Sequence, residues 1–170
     1  MREVILYIAS SLDGYIAGPE NQLDFLFHDQ DFGYNTFLKT IDTTLMGYKT
    51  YEEVLGFDVP FPYPDKTNYV FSRQNRQADQ NPVVFIQQDP AIFVRELKSA
   101  PGGKIWAVGG GQLNGVLLAA GLIDEIEMYI HPIALGNGVP IFNGAYLPST
   151  FRLVSNETHA SGVIIARYRK

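Results

Sequence analysis

The stretch Lys104-Ile105-Trp106-Ala107-Val108-Gly109-Gly110-Gly111-Gln112-Leu113 decides how the rest of this chain is read. An apolar run of strand length leads into three consecutive glycines and then into a helical pattern from Gln112 to Ala120, closed by Gly121. Strand, glycine turn and helix in that order are the setting of an anion site. Glycines let a phosphate approach the backbone, and a helix start offers free N–H groups with a positive dipole end. The other reading is a tight turn that needs positive φ. The spacing is not G-x-G-x-x-G, and no acidic residue follows about twenty positions later, so the ordinary dinucleotide fingerprint is absent.

Outward from this turn, Val4 to Ser10 reads as a buried strand, followed by Asp13-Gly14, the short run Tyr15-Ile16-Ala17 and the Gly18-Pro19 turn. Between 24 and 41, Phe32, Phe37, Leu38 and Ile41 have helical spacing, with Asp31 at a possible N-cap. Thr43 to Met46 is a short strand, Gly47-Tyr48 a turn, and Thr50 to Leu55 a helix with Thr50 and Glu53 at capping-box spacing. The proline-bearing stretch 56–66 reads as irregular loop. Strands are expected at Thr67 to Ser72 and Pro82 to Gln87, then a helix from Asp89-Pro90 to Lys98. Ile126 to Ile133 is a further strand. Phe151 to Thr158 and Val163 to Arg169 form an antiparallel hairpin turned at Ala160-Ser161-Gly162. The expectation is one α/β domain over residues 1–170: a mixed, mostly parallel central sheet with helices on both faces and a C-terminal antiparallel hairpin.

Composition removes several function classes. The net charge of −5 and the lack of Lys/Arg runs speak against nucleic acid, since phosphate backbones need a basic face. With no cysteine there is no disulfide, thiolate metal site or thiol nucleophile. His28, His131 and His159 have no metal spacing. The N-terminal apolar run is too short for a signal peptide or membrane span, which makes the cytoplasm the default compartment. Eleven Phe and ten Tyr suggest a bulky core and a pocket lined by flat rings.

Three further motifs carry candidate chemistry. Met46-Gly47-Tyr48-Lys49-Thr50 ends a strand in a glycine and puts an ammonium and a hydroxyl at a helix start, either for a second phosphate contact or as a capped helix with a solvated lysine. Ser72-Arg73, just past a strand, suits a phosphomonoester. Ser10-Ser11-Leu12-Asp13-Gly14 offers Asp13 as an acid or as an Asp-Gly turn residue, and Asp31 faces the same choice between cap and acid. Three strand ends with phosphate-friendly groups imply a ligand along the carboxyl edge of the sheet.

Read in order, these motifs resemble the dihydrofolate reductase-like superfamily, in the branch that contains the reductase (C-terminal) domain of the bifunctional riboflavin biosynthesis deaminase-reductase. The segments that carry the likeness are Ile8 to Ala17, Met46 to Glu52, Val70 to Arg73, and Gly121 to Ile126 followed by Pro132 and Leu135 to Phe142. The resemblance implies an NADPH-dependent reductase of a small heterocyclic, carbonyl or imine substrate, with a homodimer as the assembly. A folate-type reduction and a non-catalytic NADP-binding protein are the alternatives. It also implies cofactor contacts from Ala9, Ile16, Gly47, Lys49, Thr50, Ser72, Arg73, Val108, Gly109, Gly110, Gly111, Gln112 and Leu113, with Asp13 and then Asp31 as catalytic acids and no metal. Two positions depart from the pattern: Gly109 stands where that branch places a glutamate, and Tyr48 where it places an arginine.

Overall fold

The computed structural model describes residues 1–57, 59–77, 82–144 and 147–170. In chain order the elements are β1 (Val4–Ser10), β2 (Tyr15–Ala17), α1 (Tyr34–Leu38), β3 (Ile41–Gly47), α2 (Tyr48–Leu55), β4 (Thr67–Phe71), β5 (Val83–Ile86), α3 (Pro90–Ser99), β6 (Lys104–Gly109), α4 (Gly111–Ala119), β7 (Glu125–Ile130), β8 (Val139–Pro140), β9 (Arg152–Thr158) and β10 (Ile164–Arg169). Eight strands form one sheet in the order β5-β4-β3-β6-β1-β7-β10-β9, and β2 pairs with β8 in a small second sheet. The six strands from β5 to β7 are mutually parallel, while β10 runs antiparallel to both β7 and β9. The expected mixed sheet and closing hairpin are present.

Alternation along β1 divides the core. Val4, Leu6 and Ile8 pack with Val94 of α3 and with Leu113 and Leu117 of α4. Ile5 and Tyr7 face the other way, against Phe37 of α1, Tyr51 of α2 and Trp106 of β6. Period-two side chains therefore put helices on both faces.

Several boundaries differ from the sequence reading, each for a local reason. The helix expected within 24–41 is one short turn and a half. Gly33 precedes it in the left-handed region, and Ile41 starts β3. Asp31 is not its N-cap residue, although its carboxylate accepts from the Asn35 backbone and side-chain amides at 3.3 and 2.6 Å. Helix α2 starts at Tyr48 behind Gly47, so Thr50 lies inside it and the proposed capping box does not form. Asp89 does cap α3, accepting from the Ala91 and Ile92 amides at 2.9 and 3.1 Å. Strand β7 stops at Ile130, and β8 was not foreseen because two residues carry no periodicity.

Candidate functional site

Parallel strands bring their carboxyl ends to one edge. Met46 pairs with Gly109, Gly47 with Phe71 and Ser10 with Ile130, so the ends of β3, β4, β6, β1 and β7 lie side by side. This is where open α/β sheets hold ligands.

The glycine turn is a closely packed part of that edge. Gly109 has φ of +121°, a region open to glycine and strained for other residues, and the Gly109–Gly110 peptide is cis. A Cβ on Gly110 would lie 3.2 Å from the Thr50 hydroxyl oxygen, which brings the second motif onto the turn. A Cβ on Gly111 would lie 2.3 Å from the Pro140 carbonyl, so β8 abuts the start of α4. The backbone completes the link: the Asn143 amide donates to Gly111 O at 2.9 Å, and the Ile141 amide to Gly14 O at 3.0 Å. The Asp13-Gly14 turn is thus joined to the glycine turn through residues 141–143.

Helix α4 begins without a side-chain cap, and its Gly110 N-cap is extended. The amides of its first turn are orphan donors beside a positive dipole end. Beneath them, buried Asn114 donates through Nδ2 to Ile141 O at 3.0 Å. Its Oδ1 has no partner among the described residues. Narrow clearance, uncapped donors and an adjacent hydroxyl fit an anionic ligand that approaches the main chain closely.

The other expected contacts are distributed as follows. Ala9 in β1 is half-buried and pairs with Tyr129, Ile16 packs on the α3/α4 core, and Val108 packs on the opposite core. Leu113 is buried and Gln112 exposed. Lys49 is exposed and shares a 330 Å³ surface depression with Asn21, Glu52 and Glu53. Burial raises the Glu53 pKa, with Lys49 pulling the other way. Ser72 lies at the β4 exit and accepts from the Gln74 amide at 3.2 Å and from Arg76 Nε at 3.3 Å. Arg73 is exposed. The Arg76 guanidinium sits 3.4 Å from the centre of the Tyr48 ring. Sequence reading had passed over Arg76, because a cation four residues past a strand has no local signature.

Asp13 is exposed, yet its carboxylate accepts from the Ser11 hydroxyl at 2.6 Å and from the Leu135 and Gly136 amides at 3.0 and 2.7 Å. Those donors, the Ser11 hydroxyl foremost, hold its pKa down at about 2. It anchors the 135–136 loop as a carboxylate. Nearby, buried His131 accepts at Nδ1 from the Phe27 amide at 3.2 Å and meets the edges of Phe25, Phe27 and Phe32. Burial and then His28 lower its pKa, which Asp29 partly offsets.

On the α1 face the structure gathers groups that no motif had announced. Glu127, Tyr129 and Tyr7 lie on β7 and β1, and Arg167 on β10 registers opposite Glu127. Tyr7 stacks on Phe37 with ring centres 4.2 Å apart and sits 6.0 Å from the rings of Tyr34 and Trp106. Asp31 is close enough to Tyr7 and Tyr34 to act on both phenols, so this expected acid stands beside the aromatic cluster. Among the described residues no group of three or more His, Asp and Glu has the makings of a metal site, and no helix is long and apolar enough to cross a membrane.

The family model described as RibD C-terminal domain matches residues 2–165. Two Bacillus subtilis proteins, YwjB and YyaP, both uncharacterized, are each 35% identical to the chain. YwjB is covered over 95% of both chains, and YyaP over 96% of this chain and 92% of its own. A Shewanella sp. PV-4 crystal structure assigned to riboflavin biosynthesis superposes with a TM-score of 0.88 at 27% identity, covering 98% of each chain. A Thermotoga maritima diaminohydroxyphosphoribosylaminopyrimidine deaminase/5-amino-6-(5-phosphoribosylamino)uracil reductase gives a TM-score of 0.75 at 16% identity. The match covers 99% of this chain and 56% of that one, a likeness of fold.

Proposed function

The chain belongs to the RibD C-terminal domain family, and from that premise we propose that it is an NADPH-dependent reductase of a small heterocyclic, carbonyl or imine substrate. The observation that carries this reading is the glycine turn: Gly109 at positive φ, Gly110 against the Thr50 hydroxyl and an uncapped α4 start. The amides of Gly111, Gln112 and Leu113 with Thr50 would hold the pyrophosphate, aided by Gly47 and Lys49. Ser72, with Arg73 and Arg76, would hold the 2′-phosphate, where a planar guanidinium matches a phosphomonoester. Ala9, Ile16 and Val108 would border the nicotinamide end. When bound, the cofactor supplies a hydride. The chain's own part is to align the substrate and to place charge and a proton.

The substrate would lie on the α1 face beside Tyr7, Tyr34 and Phe37, with Asp31 contributing negative charge at the rim. Asp13 would act from a distance, by fixing the 135–136 loop against the β1 exit. The test is thermal. A ligand at a hundred times its Kd adds about 2.7 kcal/mol to the folded state. For a chain of this length that is a rise of roughly 5–10 °C in Tm with NADPH. NADH should give clearly less at the same concentration. No shift with either cofactor would overturn the proposal.

A further inference from the structure

The two faces of β1 are not alike. One packs aliphatic side chains against α3 and α4. The other carries a row of polar groups across three strands. Glu127 is 7% exposed and is held at both oxygens: Arg167 donates from Nε to Oε2 and from Nη2 to Oε1, each at 3.0 Å. The buried Tyr129 hydroxyl donates to Oε1 at 2.5 Å. The Tyr129 hydroxyl also has a neighbour on the next strand. That neighbour is Tyr7, whose ring centre lies 4.5 Å away and whose hydroxyl is coupled to that of Tyr129. Burying the Glu127 carboxylate and the Tyr129 phenol costs desolvation that apolar side chains would avoid. Such a row on a face beside a ligand edge marks a working surface.

Tyr7 is the phenol of the row open to a ligand, because it is only partly buried whereas Tyr129 is buried; Arg167, also partly exposed, is held by Glu127. Tyr34 and Tyr63 repeat the arrangement nearby, a partly exposed phenol coupled to a buried one. Asp13 is committed to backbone donors, and exposed Asp31 to Asn35. Burial foremost pushes the Tyr7 pKa up, the hydrogen bond with Tyr129 pulls it down, and the charges of Glu127 and Asp31 add to the rise. A phenol keeps its proton at neutral pH and gives it up to a strongly basic atom that forms beside it.

We propose that Tyr7 is the proton donor of this reductase, with Tyr129, Glu127 and Arg167 as the row that positions it. This rests on the reductase reading above. The C=N or C=O carbon of the substrate accepts the hydride of the reduced nicotinamide. The electron pair of the double bond moves to nitrogen or oxygen, and that atom takes the Tyr7 proton. The substrate would be reduced by two electrons, the reduced nicotinamide would be their donor, and Tyr7 would regain a proton from solvent.

The experiment compares wild type with Tyr7→Phe, Tyr129→Phe and, as a control from the opposite core, Tyr69→Phe. NADPH consumption is followed with a dihydropterin, a ribosylamino-pyrimidine and a small aldehyde as probes. In parallel, the Cζ resonance of 13C-labelled Tyr7 is recorded with NADP+ and the pyrimidine. Tyr7→Phe should lower kcat at least 100-fold, within the range of general acid catalysis, and leave NADPH affinity within twofold. Tyr129→Phe should lower kcat about tenfold and Tyr69→Phe should not change it. The Tyr7 resonance should move when the pyrimidine binds. A Tyr7→Phe enzyme within threefold of wild type overturns the proposal. So does NADPH binding with neither turnover of any probe nor movement of the resonance, an outcome that leaves the cofactor reading standing. Absence of any Tm shift with NADPH overturns both.

Discussion

The carboxyl edge and the α1 face of the same sheet are built by opposite means. At the edge, close contact is made by main chain: Gly111 against the Pro140 carbonyl, Gly138 against the Ala17 carbonyl, and the 141–143 backbone bonded to Gly14 and Gly111. On the α1 face it is made by side chains from strands far apart in sequence, as where Tyr7, Glu127 and Arg167 meet. A backbone-built site has almost no freedom to relax. A side-chain-built site can repack when both members of a pair change together.

The largest effect expected from this difference is at the small sheet. A Cβ on Gly138 would lie 2.1 Å from Ala17 O, at a φ of +153° that L residues rarely adopt. Gly138→Ala should destabilise by about 3 kcal/mol through strain and clash together. That is a fall of roughly 6–12 °C in Tm by calorimetry. If Tm moves by less than 2 °C, this region is more compliant than its contacts imply.

The next effect belongs to the other face. Glu127→Leu removes the acceptor of both Arg167 and the Tyr129 hydroxyl. Breaking a buried pair typically costs 3–5 kcal/mol, but the Arg167 side chain is 41% exposed, so about 2 kcal/mol is expected. Glu127→Leu with Arg167→Leu should recover more than half of that, since no unpaired charge remains. Chemical denaturation of the single and double variants measures it, and a fully additive double variant would contradict a face that repacks.

These two cases explain what the sequence disclosed. The strands, the mixed sheet, the closing hairpin and the Asp89 cap were legible because each rests on period, turn residues or a local cap. The glycine turn was legible for the same reason, being five contiguous residues. The row through Tyr7, Glu127, Tyr129 and Arg167 was not, because it exists only through strand register between residues up to 160 positions apart. Of the two roles open to Asp31, the N-cap is taken by Gly33, which in the left-handed region sets the start of α1. Pairing of β2 with β8 escaped notice because a two-residue strand has no alternation to detect.

A smaller effect tests the one place where side chains add to the backbone-built edge. Arg76 lies over Tyr48 and donates to Ser72, while Arg73 is exposed. Arg76→Ala should weaken NADPH binding about tenfold, about 1.4 kcal/mol, and NADH binding less than twofold. Arg73→Ala should change the NADPH preference by a smaller factor. Titration calorimetry of both variants decides which cation faces the 2′-phosphate, and the reverse order would assign it to Arg73.

The smallest effect concerns Asp13, where a side chain holds backbone in place. Its carboxylate gains the Ser11 hydroxyl and the Leu135 and Gly136 amides only in the folded chain, which keeps its pKa at about 2. A folded pKa below the unfolded value stabilises the fold in full above the unfolded value of ~3.9. That contribution fades as pH falls from there toward 2. The 135–136 loop should therefore be held at pH 7 and loosen in acid. Asp13→Asn keeps one acceptor oxygen and loses the charge. It should leave Tm at pH 7 almost unchanged but speed amide exchange at Leu135 and Gly136 severalfold, and it should remove the acid-induced loosening of that loop. Because the group is exposed, the effect stays local. Equal exchange rates in the variant and wild type at both pH values would mean that the loop is held by its main chain alone, as the rest of this edge is.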